Sequence, residues 1–319
     1  MEQYIQEVAD VSWQVFTQCV TESEGAVATL DMSQFTQAFA FDVLGEVGFG
    51  GSFDLVRTRG QGKGNAIVHA VGLSFLALAN LGYIPGQSRW LKSKAFITLC
   101  RLAGIDLSKL QQLFKTTQYS EELILGRQQE ARRTRTDLLQ QFIDARTREG
   151  KPLVHQELLG EVVSLLGAGA DTTAIGIRAA LGPLILHRTA SCKVAEEIDR
   201  FYVANIPNGG SDREITYREC LTLPYLQAVI KEGLRMHPSI QFQLPRYVPT
   251  GGVTIRGTYI PEGTEVSMSP VASNRDTAIF GEDAHIWDPD RWLVDKERAA
   301  RMDKHLATVC YDAPSYQNH

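Results

Sequence analysis

The sequence predicts a mainly α-helical protein with a small antiparallel β region toward its C-terminal part. Three observations carry that expectation. Residues 1–205 are dominated by stretches with apolar residues at helical spacing. Residues 246–270, RYVPTGGVTIRGTYIPEGTEVSMSP, set short β-rich pieces between Gly-Gly and Pro-Glu-Gly turns. No internal repeat divides the chain, and its 319 residues are enough for one large core.

Taken in order, the periodicity predicts helices over 2–20, 31–49, 64–81, 88–102, 107–133, 136–149, 155–187 and 190–205. Asp31 is placed to cap the second, and Ser211-x-x-Glu214 reads as a capping box. A further helix, 221–237, is stopped by Pro238, and 271–309 is irregular. The Gly-rich stretch 50–65 contains Gly60-x-Gly62-Lys63-Gly64, which invites a phosphate-binding reading. No strand precedes it and no Gly-Lys-Ser/Thr follows, so a flexible loop is expected.

Composition narrows the function. Hydrophobic residues make up 44% and charged residues 22%, the balance of a folded globular chain. A net charge of −5 gives no electrostatic basis for binding nucleic acid, and none is expected. The basic run Arg127–Arg135 alternates with Glu and Gln, as a solvated helix face does. Cys19, Cys100, Cys192, Cys220 and Cys310 are odd in number, scattered and without a Cys-x-x-Cys pair. Reduced thiols follow, not a disulfide framework or a zinc site. The seven histidines show no i, i+4 pairing. The N-terminal stretch Met1–Phe16 is amphipathic and acidic, unlike a signal peptide. The apolar run Ala66–Leu81 is broken by His69, Gly72, Ser74 and Asn80. No transmembrane segment and a soluble chain are therefore expected.

One stretch breaks its own rule. Leu165–Ala174, LLGAGADTTA, puts two glycines, an aspartate and two threonines inside an otherwise helix-forming segment. Each interior glycine costs about 1 kcal/mol relative to alanine. Leu158, Leu159, Val162, Val163, Leu165, Leu166, Ala170, Ile175, Ile177, Ala179, Leu181 and Leu184 ring the segment with apolar side chains. A helix apolar all round is expected to be buried, which would set Asp171 deep inside the protein. Ala168 and Gly169 leave room for a flat group against the backbone. The Thr172 hydroxyl can bond the i−4 carbonyl and open the ladder, and Asp171 can relay protons.

Ala168-Gly-Ala-Asp-Thr-Thr173 resembles the oxygen-activation motif of the cytochrome P-450 family, on the long central helix where that family keeps it. The resemblance extends to Glu232-Gly-Leu-Arg235, similar to the family's Glu-x-x-Arg, and to Pro289-Asp-Arg291 within WDPDRW. The Glu-x-x-Arg pattern alone is weak, because it recurs at Glu130–Arg133 and Glu197–Arg200. Leu226, Val229, Ile230 and Leu234 form an apolar stripe, and Glu232 lies on another face beside Tyr225, Ala228 and Met236, where a charge pair is expected to be buried and to need a further partner. The segment FAFDVLGEVGFG, 39–50, is similar to fungal members such as those like pisatin demethylase.

The resemblance implies a cytochrome P-450-like helical body and a haem b cofactor. It makes Thr172 the oxygen-activating threonine and Asp171 the proton source, with Ala168 and Gly169 against the haem. It also implies a structural trio of Glu232, Arg235 and Arg291, an arginine for a haem propionate in Arg246, and a substrate pocket at Ser239, Ile240, Gln241 and Phe242. The implied activity is insertion of one oxygen atom into a small lipophilic, secondary-metabolite-like substrate. Electrons would come from NADPH through NADPH–cytochrome P-450 reductase.

Two departures accompany the resemblance. The family's membrane anchor, first sheet and Trp-x-x-x-Arg motif have no counterpart, so a single partial domain over 1–319, truncated at both ends, is expected. The family is typical of the endoplasmic reticulum membrane, and a chain without the anchor is expected in the cytoplasm or at the membrane periphery. The position of the family's ligand cysteine holds Tyr316, and Cys310 lies six residues early. Thiolate donation favours O–O cleavage in this chemistry, so a catalytically inactive remnant is the alternative.

Overall fold

The computed structural model describes residues 1–308 except 26, 63, 82–88, 90–92, 103–114, 130–135, 206–213 and 244. These residues group into two compact units, Met1–Ala174 and Ile175–His319. Each is described by itself.

The first unit is helical. It contains α1 (Glu2–Glu22), α2 (Met32–Leu44), α3 (Asn65–Leu81), α4 (Lys94–Leu102), α5 (Lys115–Gln129), α6 (Leu138–Asp144) and α7 (His155–Ala168), then the start of α8 (Asp171–Leu186). Asp31 caps α2 as expected, its carboxylate accepting from the N–H groups of Ser33 and Gln34. A single π-turn, Gly45–Phe49, carries α2 on to a left-handed Gly50. One apolar core gathers Phe41 and Leu44 of α2, Ile67 and Val71 of α3, Ile124 of α5, Leu139 of α6, and Leu158, Val162 and Leu166 of α7. Each such side chain, fully buried, contributes roughly 1.5–3 kcal/mol.

Three expectations need correction here. The stretch 50–65 is an anchored turn, not a flexible loop. The N–H groups of Leu55 and Val56 both donate to the buried Asp42 carboxylate, at 3.1 and 2.8 Å, and both side chains enter the core. Burial pushes the Asp42 carboxyl above its ordinary range despite those two bonds. The helix expected over 136–149 ends at Asp144, where the chain turns and pairs Arg146 with Pro152. The long helix is not buried all round. Up to Ala174 its buried residues, Leu158, Val162, Leu166, Ala170 and Ala174, recur every four positions on one side, and Ala179 is the one buried residue beyond them.

The second unit holds the rest of α8, then α9 (Arg188–Asn205), α10 (Tyr217–Cys220) and α11 (Pro224–Met236). Ser211 of the expected capping box lies outside the described residues. The box observed is five residues on, with Thr216 and Glu219 capping each other at the start of α10. Four short strands follow: β1 (Arg246–Tyr247), β2 (Val253–Ile255), β3 (Thr258–Ile260) and β4 (Glu265–Val266). They form two antiparallel ribbons, β1 with β4 and β2 with β3. Arg256 and Gly257 both take positive φ, at 48° and 79°, which is the two-residue turn that suits a hairpin twist. Short helices α12 (Pro270–Ser273) and α13 (Thr277–Phe280), a 3-10 turn Pro289–Trp292 and α14 (Lys296–His305) complete the unit.

By length and composition, His155–Leu186 is the one stretch among the described residues that could cross a membrane. It carries Asp171 and packs its stripe into the core of the first unit, and core helices pass the same test.

Candidate functional site

The long helix breaks where its sequence is weakest. α7 ends at Ala168 and α8 begins at Asp171, with a turn at Gly169 and Ala170 between them. The hydroxyls of Thr172 and Thr173 donate back to the carbonyls of Ala168 and Gly169, at 2.9 and 2.8 Å. A hydroxyl taking the i−4 carbonyl competes with the backbone N–H that would otherwise hold it. The break coincides with two glycines and two adjacent threonines whose hydroxyls take those carbonyls.

Asp171 is half-buried, not deep in the interior as the sequence suggested. Its Oδ1 accepts from Gln37 Nε2 of α2 at 2.9 Å. Leu44, two turns along the same face of α2, accounts for Gly169. A Cβ on Gly169 would lie 2.9 Å from a Leu44 methyl and 2.9 Å from the Leu165 carbonyl oxygen. Close helix approach, not open space, is what demands glycine there. Ala168, by contrast, is exposed, and an added Cβ on Gly167 would meet nothing within 4 Å. Ser164, Ala168 and Thr172 recur every four residues on the side of the helix opposite its buried stripe.

In the second unit, α11 brings Glu232 and Arg235 inside. Pro224 starts the helix, and the Glu197 carboxylate of α9 caps it, accepting from the N–H groups of Tyr225 and Leu226 at 2.8 and 2.9 Å. The Glu197–Arg200 repeat of the pattern is thus no ion pair, since Arg200 turns to the Glu196 carbonyl. The Glu130–Arg133 repeat lies outside the described residues. The buried side of α11 is Tyr225, Ala228, Val229, Glu232, Gly233 and Arg235. Ile230 of the expected apolar stripe is 37% exposed, so the charged pair lies on the face that packs. Gly233 permits this, because a Cβ there would collide with the backbone of α8 at Ala179.

Glu232 is fully buried and saturated. Its Oε1 accepts from Arg235 Nη2 at 2.8 Å, Arg291 Nε at 3.0 Å and the Asp288 N–H at 2.8 Å. Its Oε2 accepts from Arg235 Nε at 2.7 Å and the Trp292 indole at 3.0 Å. Arg235 spends its remaining donors on the carbonyls of Asn274, Ala284 and Ile286. Arg291 adds Asp283, at 3.0 Å, and the Phe280 carbonyl. Two carboxylates and two guanidiniums balance, which is the condition for burying charge at all. Burial pulls Arg291 down, but the Asp283 hydrogen bond and the Glu232 charge outweigh it and hold the guanidinium above its ordinary value. The Arg291 bond in turn holds Asp283 below the usual carboxylate range.

The chain matches the cytochrome P-450 family model over residues 1–307. It belongs to that family. Among curated relatives, it is 30% identical over 291 residues to a cytochrome P-450 monooxygenase of Alternaria alternata, covering 87% of this chain and 72% of that one. It is 32% identical over 279 residues to pisatin demethylase of Fusarium vanettenii, covering 84% of this chain and 50% of that one. A cytochrome P-450 monooxygenase of Penicillium aethiopicum is 28% identical over 88% of this chain and 55% of its own. The chain thus spans about half the length of two of these relatives.

Membership in the cytochrome P-450 family implies a haem iron cofactor. The exposed Ala168 and the open space at Gly167 fit a flat group on that side of the helix. Among the described residues, no group of three or more His, Cys, Asp or Glu is arranged to hold a free metal ion. Tyr316, expected at the family's ligand position, and Cys310 lie outside the described residues. Arg246 is exposed on β1, its guanidinium donating to the Pro245 carbonyl. Ser239 and Ile240 are half-buried, and Gln241 and Phe242 are exposed. The Ser239 hydroxyl lies 3.6 Å from where a Cβ on Gly176 would stand.

Sequence reasoning missed Gln37, Trp292, Asp283 and Asn274. The Asn274 side chain is fully buried and clamps Ala307 by both its N–H and C=O groups, each at 2.8 Å. WDPDRW offered Trp292 as a donor from the start; the other three carry no local signal.

Proposed function

We propose that this chain carries the oxygen-handling machinery of a haem-dependent monooxygenase of fungal secondary metabolism, one that inserts a single oxygen atom into a small lipophilic substrate. Residues 1–319 are taken as part of one domain of that fold. The observation that carries the reading is the helix break at Ala168–Thr172, with its threonine hydroxyls bonded back, in a chain of this family.

When bound, haem b supplies the reduction of dioxygen and the transfer of one of its atoms. The protein's part is positional. Ala168 keeps the helix surface low enough for a flat cofactor, and Gly169 lets α2 approach behind it. Thr172 holds a hydroxyl beside that surface, anchored on the Ala168 carbonyl. Asp171 is half-buried and in reach of solvent, so its carboxylate can take up protons and deliver them to the threonine side of the helix. Arg246 is assigned to a haem propionate. Ser239, Ile240, Gln241 and Phe242 are assigned to the substrate pocket, where Ile240 and Phe242 favour an apolar ligand. Glu232, Arg235 and Arg291 are assigned the structural role of fixing the segment that grips the cofactor. NADPH–cytochrome P-450 reductase is the electron donor, and the endoplasmic reticulum membrane surface is the compartment that goes with it.

Tyr316 supports a second reading, a catalytically inactive form that lacks the thiolate. The test is to express the chain with haem precursor and record the reduced carbon monoxide difference spectrum. A thiolate-type Soret band supports the monooxygenase. Haem bound without that band, or no haem, gives the inactive form.

A further inference from the structure

We infer that Gln37 is the positioning residue for the Asp171 carboxylate, holding it in one orientation between the helix break and a neighbouring cleft. The inference rests on the monooxygenase reading, because it assigns a partner to the acid that reading uses.

Four observations support it. The Gln37 amide donates to Asp171 Oδ1 at 2.9 Å across 134 residues of sequence. Among the described residues it is the donor to that carboxylate, so the second oxygen is left to solvent. Gln37 also lines a cleft of about 490 Å³ whose walls include the polar side chains of Gln34, Asn65 and His69. It therefore stands between that cleft and the acid. Finally, the contact is fixed by packing: Leu44, seven residues along α2, sits against Gly169, the residue two before Asp171. The glycine that permits the helices to approach is what brings the glutamine within reach.

The choice of an amide has a chemical consequence. A lysine or arginine in this place would pair with the carboxylate's charge and oppose its protonation. A glutamine donates one hydrogen bond and neither gives up nor accepts a proton over the working range. It selects a rotamer and leaves Asp171 able to exchange protons through its open oxygen. Its own carbonyl oxygen remains available to water in the cleft.

The test uses the full chain labelled with 15N-glutamine. The Gln37 side-chain amide signal, assigned by its loss in Gln37→Leu, is compared between the parent chain and Asp171→Asn at neutral pH. It is expected to move in Asp171→Asn, because the charged acceptor of its hydrogen bond is gone. A signal unmoved by Asp171→Asn overturns the inference. In the haem-loaded chain with reductase, Gln37→Leu is expected to raise hydrogen peroxide released per NADPH by about tenfold or more, the factor for one lost hydrogen bond to a charged group. Asp171→Asn is expected to do the same at unchanged haem content. If Asp171→Asn raises peroxide release and Gln37→Leu does not, this inference alone fails. If neither does, or if the chain takes up no haem, the monooxygenase reading fails and this inference with it.

Discussion

The helix break in the first unit and the charge cluster in the second solve opposite problems. Around Glu232 every lone pair is used: two arginines, an indole and a backbone N–H converge on one fully buried carboxylate. Around Asp171 one amide suffices, and the helix carbonyls nearby are held by hydroxyls that can let go. The difference is set by burial. A charge shut away from water has to be saturated or it unfolds the protein, whereas a half-exposed one can stay under-coordinated and exchange protons.

That contrast is sharpest when partners are removed. Glu232→Ala strands Arg235 and Arg291 in the interior and should cost about 3–5 kcal/mol by denaturant unfolding, or prevent folding outright. A loss below about 1 kcal/mol would match a surface pair and erase the distinction.

Glycines divide the break itself. Gly169→Ala drives a methyl into Leu44 and the Leu165 carbonyl and should cost about 1–3 kcal/mol. Gly167→Ala, two residues earlier in open space, should instead stabilise by up to about 1 kcal/mol through helix propensity. Equal effects would mean that α2 does not pack where the structure puts it.

Acid probes the rim of the cluster. Because Arg291 depresses the Asp283 carboxyl in the folded state, the pair's contribution is complete above the ordinary carboxylate pKa of about 4 and is lost as pH falls through the lower folded value. Asp283 is half-exposed, so the contribution discounted for solvent is less than about 1 kcal/mol. Asp283→Asn should flatten that part of the stability–pH curve, measured by urea midpoints, by removing that contribution at neutral pH while leaving stability in acid nearly unchanged. Smallest of all, Thr172→Val keeps the side-chain shape and removes the hydroxyl, and should move stability by within about 0.5 kcal/mol. A large loss there would make the threonine structural, like Glu232.

Much of this was legible from residues. The capping Asp31, the helix-breaking Thr172 and Thr173, and the Gly-rich turns of the β region act through bonds to residues a few positions away, so local sequence specifies them. Glu232 and Arg235 were legible as a pair three apart on one helix, and the face expected to bury them, with Tyr225 and Ala228, is buried. Ile230 of the apolar stripe is instead 37% exposed. Periodicity identifies where apolar residues cluster, and it does not by itself decide which side of a helix its neighbours cover.

By itself the sequence determined the helix order, the weak point at Leu165–Ala174 and the residue types that any site here must use. Tertiary structure alone decided that Asp171 stands half in solvent with Gln37 as its partner, that Gly169 answers to Leu44, and that Asn274 and Asp283 join the buried cluster. The physical reason is range. Hydrogen bonds within a helical turn are written in neighbouring letters, whereas a contact spanning 134 residues exists only once packing has brought its two ends together.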